Sequence, residues 1–121
     1  MRKSPNIEMV LTGMLRPLFP GVCIGRTAPK TRQERMVTIR RQGGNTTRFV
    51  DRPRIGVNVW DVTPEAATAL ASEVAAAIRE AAGNSSGPIK RASTYGLIEV
   101  PEETELHQRY FTADVTIRTI V

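Results

Sequence analysis

The sequence predicts a single α+β domain spanning 1–121. It should hold a mainly antiparallel, or mixed, β-sheet of about four to five strands, two α-helices packed on one face, and a long exposed β-hairpin. Three observations carry that expectation. Residues 66–82 are alanine-rich, with Leu70, Val74 and Ile78 spaced by four, which is a helical repeat. Residues 55–60 and 109–120 alternate apolar with polar, the repeat of half-buried strands. Gly43-Gly44-Asn45 between two such runs is a hairpin signal, because Gly and Asn tolerate positive φ.

The elements follow in order. Ser4 suits a helix N-cap and Pro5 the first helical position. Ile7, Val10, Leu11, Met14 and Leu18 then form one apolar stripe, weakened at Gly13 and stopped by Pro17 and Pro20. Val22 to Ile24 reads as a short strand that buries the Cys23 thiol, and Gly25 to Glu34 as a polar, basic loop. In Met36 to Arg41, Val37 and Ile39 face one way and Thr38 and Arg40 the other. A return strand runs from about Thr46 to Val50. Pro53, lacking an N–H, should interrupt that ladder before a further strand at Ile55 to Trp60. Thr63 caps the second helix, Pro64 and Glu65 fit its first turn, and Gly83 ends it. Ile89 to Val100 should be a strand bent or bulged at Gly96. Residues 101–108 form an acidic connection to the last strand, whose Phe111, Ala113, Val115 and Ile117 share one face.

Charge is unevenly placed. Residues 1–54 hold 12 Lys and Arg against Glu8, Glu34 and Asp51, whereas residues 55–121 hold 5 against 9 acidic side chains. A chain with a positive and a negative surface can attract copies of itself head to tail, and such contacts close into rings when the rotation allows. Arg40, Arg41 and Arg48 flank the expected hairpin tip, and Arg52 and Arg54 follow it. Glu102, Glu103 and Glu105, with Glu99 nearby, make the acidic counterpart. These are the candidate assembly-surface residues.

Chemistry for catalysis is sparse. One Cys (Cys23) and one His (His107) leave no intramolecular disulfide framework and no Cys/His zinc site within one chain. The glycines of the hairpin lack the Lys and following helix of a phosphate cradle. The spacing of the acidic residues matches no Ca²⁺ loop. No catalytic, cofactor or metal site is expected, and an enzyme is the disfavoured class. No apolar run reaches the length of a membrane span and no signal-peptide core follows Met1-Arg2-Lys3, so a soluble protein of a reducing compartment is expected. The basic cluster could serve phosphates, but only Phe49 lies near it. Single-strand binders use stacking platforms and sequence readers a recognition helix.

The order and texture of segments resemble one known family. The residues that carry it are Leu15-Arg16-Pro17 at the end of the first helix, then Val37 to Gly44, then Asp51-Arg52-Pro53-Arg54-Ile55-Gly56-Val57-Asn58-Val59-Trp60. An Ala-rich helix and a Gly-Pro turn follow, and Arg109 to Val115 closes the pattern. Across nearly the whole chain this resembles the tail terminator, or tail completion, proteins of long-tailed bacteriophages, siphophages of actinobacterial hosts above all. The resemblance implies an α+β subunit that forms a hexameric ring. Such a ring caps the head-proximal end of the tail tube, stops its polymerisation and meets the head's connector. DNA passes through its lumen without sequence-specific contact. The implied partners are copies of itself, the tail tube protein and the connector, with no membrane. The implied location is the virion tail, and the host cytoplasm during assembly. No site residue carries over from the family. The alternative is a small basic nucleic-acid-binding module. If the basic hairpin is an assembly surface, Arg40→Glu with Arg41→Glu should disturb ring formation or tube capping.

Overall fold

Repeats of four in the first helix and of two in the strands bury one continuous apolar layer, and the fold is what closes over it. The structure is a computed structural model that describes residues 6–31, 33–47, 50–83, 87–101 and 105–118. Helix α1 (Ile7–Leu15) is capped by Asn6, whose Oδ1 accepts the N–H groups of Glu8 at 3.1 Å and Met9 at 3.3 Å. The cap is therefore Asn6, not Ser4; Ser4 and Pro5 lie outside the described residues. Ile7, Leu11 and Leu15 are buried and Val10 and Met14 pack beside them. Leu18 departs from the expected stripe. Pro17 tightens the chain into a 3-10 turn (Arg16–Leu18), which leaves Leu18 58% exposed.

Strand β1 (Cys23–Gly25) is short and runs parallel to β2 (Met36–Thr46). As an edge strand it turns only Ile24 into the core, so Cys23 is half-buried, not buried as expected. β2 continues antiparallel into β3 (Val50–Asp61), and here two expectations are corrected. First, Gly43, Gly44 and Asn45 lie within β2, whose pairing with β3 runs on to Thr46↔Asp51. Positive φ at Gly43 (148°) and Gly44 (108°) accompanies a bulge between Arg41 and Gly43, a use of glycine that a hairpin signal cannot be told from in sequence. Thr47 closes the turn, its N–H on the Val50 carbonyl at 2.7 Å and its Oγ1 accepting the Val50 N–H at 3.1 Å. Second, Pro53 does not end the strand. It sits opposite Gly44, and the pairing to the next strand skips only Arg52 and Pro53 before resuming in register. The return strand expected from about Thr46 begins instead at Val50 and runs on without a break through the strand expected at 55–60, to Asp61; Thr46 belongs to β2.

Gly44 is required for a further reason. A Cβ there would lie 2.1 Å from the Arg52 carbonyl oxygen. Gly44→Ala is expected to lower stability by about 2 kcal/mol or more, combining clash with positive-φ strain. A urea midpoint unchanged from the parent would contradict this.

Helix α2 (Pro64–Ala81) forms as its sequence predicts. Thr63 Oγ1 accepts the Ala66 N–H at 3.0 Å, and Ala67, Leu70, Ala71, Val74 and Ile78 are buried. Strand β4 (Ile89–Val100) is bulged at Gly96, where φ is 78° and the register shifts between Tyr95 and Ile98. Strand β5 (His107–Arg118) starts two residues earlier than expected and buries Phe111, Ala113, Val115 and Ile117 as expected. The sheet order is β1-β2-β3-β5-β4, mixed only through β1. Both helices share one core with one face of the sheet, α1 over β1 and β2 and α2 over β3, β5 and β4. The other face is open, and β3 of the hairpin pairs with β5 from Val50↔Arg118 to Asp61↔His107, while β2 beyond Thr38 forms a free edge next to β1.

Candidate assembly surfaces

The turn end of the hairpin is fixed by paired charges. Arg41 places Nη1 and Nη2 each 2.8 Å from a carboxylate oxygen of Asp51, and Thr46 Oγ1 donates to the same carboxylate at 2.7 Å. Asp51 is fully buried while the Arg41 side chain is one-third exposed. The hydrogen bonds to Asp51 raise the Arg41 guanidinium above its ordinary range; burial opposes them, and the charges of Asp51 and Glu8 add to them. Glu8 reaches over from α1. β1 pairs with β2 only as far as Thr38, so the Arg41 N–H faces an unpaired edge, and Glu8 Oε2 accepts it at 3.0 Å. The same carboxylate takes Arg26 at 2.8 Å and Arg40 at 3.7 Å.

On the open face, a second cluster spans three strands. Arg54 on β3 stands opposite Asp114 on β5, with Nε at 3.0 Å and Nη2 at 3.4 Å, and the Tyr95 hydroxyl of β4 donates to the same carboxylate. The Arg54 hydrogen bond, then the Tyr95 one, hold Asp114 below the usual carboxylate range, against a desolvation effect that raises it. The bond to Asp114 lifts the Tyr95 phenol above its usual range. The signs set a pH window. Asp114, with its folded value depressed, contributes stability above the unfolded carboxylate range that is lost as pH falls through the folded value. Tyr95, with its value raised, contributes stability below the ordinary phenol range that is lost as pH rises through the folded value. Tyr95→Phe is therefore expected to reduce the loss of stability on the alkaline side, read from denaturant midpoints between about pH 8 and 11. An alkaline limb identical to the parent's would contradict it.

Beside this cluster Gln42 folds over Gly56, where a Cβ would meet Nε2 at 2.3 Å, and its Oε1 accepts the Tyr110 hydroxyl at 2.7 Å. Gln108 Nε2 donates to Asn58 Oδ1 at 2.7 Å. The open face is thus a set of cross-strand polar pairs.

The predicted residues separate into different roles. Arg40 and Arg52 are exposed; Arg52 borders a groove of about 450 Å³ with Asn45, Arg54 and Thr116. Arg41 is held by buried Asp51, and Arg54, itself exposed, by Asp114 on the open face. Arg48, Glu102 and Glu103 lie outside the described residues. Glu105 is exposed just before β5, and Glu99 pairs with Arg109 at 3.4 Å. His107 is half-buried at the start of β5. β3 pairs from Val50↔Arg118 to Asp61↔His107, so the hairpin tip and the acidic connection lie at opposite ends of the long strands. At about 3.3 Å per residue that separates them by roughly 35 Å.

Two things were not anticipated. Tyr95 and Tyr110 join Arg54 on the open face, a cross-strand grouping that local alternation alone does not reveal. Arg109 is buried, with Nε on Thr68 Oγ1 at 3.1 Å, Nη1 on the Gln108 carbonyl at 3.0 Å and Nη2 on the Pro64 carbonyl at 3.3 Å. It straps the first turn of α2 to β5. Among the described residues, no group of three or more His, Cys, Asp or Glu is placed to hold a metal ion, and no helix is long and apolar enough to cross a membrane. No protein-family model matches the chain, and no curated protein matches its sequence.

Proposed function

We propose that this chain is a virion assembly protein, a ring-forming tail terminator that caps the head-proximal end of a phage tail tube and receives the head's connector. The observation that carries the reading is the use made of the hairpin arginines. Arg41 is bound to buried Asp51 and stiffens the hairpin; Arg40 and Arg54 are exposed but paired with Glu8 and Asp114, and Arg52 adds an exposed charge beside them. A stiff, sparsely charged hairpin end suits docking by shape and charge against another protein. Its position about 35 Å from the acidic connection supports two distinct end surfaces, one for the tube and one for the connector. DNA traverses the ring without sequence-specific contact in this reading.

The test is Arg40→Glu with Arg52→Glu. Arg41 is a poor choice, because its removal takes a charged partner from buried Asp51. The double variant should fold, at only a small cost from the lost 3.7 Å contact of Arg40 with Glu8, and fail to arrest growth of tail tubes. Arrest at parental levels would remove the hairpin from the docking surface.

A second reading, a nucleic-acid-binding module, is favoured by Tyr95 and Tyr110 standing on the open face with Arg54. Stacking platforms with adjacent cations bind single strands. Here Asp114 lies in the middle of the platform and both hydroxyls are engaged. Affinity for single-stranded DNA should accordingly be weak and vanish with modest salt. Tight binding with a steep salt slope would support the second reading instead.

A further inference from the structure

The two side edges of the domain differ in a complementary way. At one edge, α2 and β4 enclose a groove of about 260 Å³ walled by Ala71, Ser72, Ala75, Arg79, Tyr95 and Leu97, with buried Phe111 as its floor. The alanines make it: larger side chains on that face of α2 would fill it. Its rim is open, with Leu97 45% exposed; the Tyr95 ring itself lies toward the open face, where its hydroxyl holds Asp114. At the other edge, beyond β1, Met9 is 70% exposed and Leu18 58%. Met9 faces outward there, in a shallow surface shared with Arg16 and Arg26.

Exposed charge divides the same way. Along α1, β1 and the start of β2, Arg16, Arg26, Lys30, Arg35 and Arg40 outnumber Glu8 and Glu34. Along α2, β4 and the chain leading into β5, Glu65, Glu73, Glu80, Glu99 and Glu105 outnumber Arg79, Lys90 and Arg91. An apolar groove in an acidic edge, opposite apolar knobs in a basic edge, is the pattern of a heterologous contact between identical chains. Simple strand addition is the weaker geometry, because the bulge at Gly96 breaks the outer edge of β4.

We propose that the occupant of the α2–β4 groove is a second copy of this chain, which inserts Met9 and Leu18. The inference deepens the assembly reading and rests on it for the closure of such contacts into a ring. It assigns the side edges to subunit contacts and leaves the hairpin end and the acidic end free for other partners.

The experiment is pairwise disulfide trapping of the full chain in a Cys23→Ser background. Met9→Cys mixed with Leu97→Cys should give a cross-linked dimer. Each variant alone, and Met9→Cys mixed with Val62→Cys, should give little. Both substitutions in one chain should give a ladder of oligomers. In sedimentation, Met9→Glu and Leu97→Glu should each weaken self-association by about tenfold, as loss of a buried apolar anchor does. Both positions are exposed, so both variants should keep the parental melting curve. No enrichment of the Met9–Leu97 pair over the Val62 control overturns the contact, as does a Leu97→Cys chain that traps only a different tail protein. Tail length in cells carrying the glutamate variants reads the assembly role separately. Normal tails without the cross-link remove this contact and leave that role; the cross-link with unregulated tails does the reverse.

Discussion

Phe111→Ala should lower stability by about 4 kcal/mol, the largest effect of any single truncation considered, since emptying a buried Phe site costs about 3–5 kcal/mol. Phe111 is 2% exposed on β5, which has β3 on one side and β4 on the other. It stands opposite Val57 and beneath α2, so three elements lose a common contact when the ring goes. The site also has little means of collapse. Its neighbours on α2 are alanines, which have no flexible side chains to move into the void. For a domain of this size the melting temperature should fall by about 15 °C, at about 4 °C per kcal/mol. Urea unfolding with an unchanged m-value is the cleaner readout. A loss below about 1.5 kcal/mol would mean that the groove above Phe111 closes when the ring is removed.

Arg41→Ala should cost on the order of 3 kcal/mol, because it leaves the Asp51 carboxylate buried with Thr46 as the hydroxyl donor beside it. The partial exposure of Arg41 places the expected figure at the low end for a broken buried pair. A double-mutant cycle separates the pair from its surroundings. Arg41→Ala with Asp51→Asn should cost clearly less than the two single changes added together, since the second removes the charge that the first strands. Strict additivity would contradict the coupling. The consequence for function is direct. The pair fixes the turn end of the hairpin, so on the proposed reading Arg41→Ala should impair docking through a loosened hairpin even though Arg40 and Arg52 are untouched.

The elements with local signals were legible in the sequence. Thr63-Pro64-Glu65 and the four-residue spacing of Leu70, Val74 and Ile78 define α2 because cap and stripe are both short-range properties. The alternation of Phe111, Ala113, Val115 and Ile117 defines β5 for the same reason. Gly96 marked its bulge correctly, whereas Gly43 and Gly44 were read as a turn. The difference is the partner strand: with Arg54 and Pro53 opposite, the same positive φ serves a bulge, and nothing local records what lies opposite. Pro53 misled likewise, since the break it causes is confined to the β5 side. Of the candidate surface, the charges were visible as residue types and their roles were not. Arg40 and Arg41 are neighbours in sequence, yet one points outward and the other holds Asp51. Tyr95, Arg54 and Asp114 meet only because β3, β5 and β4 lie in that order. The groove beside α2 depends on how closely an alanine-rich helix settles on β4, a matter of packing with no sequence signature of its own.

Electron microscopy of tails assembled with and without this chain tests its assignment most directly. The account predicts tails of uniform length, ending in a discrete ring at the head-proximal end when the chain is present, and overlong, headless tubes when it is missing. Tubes of the same length distribution in both samples would contradict it.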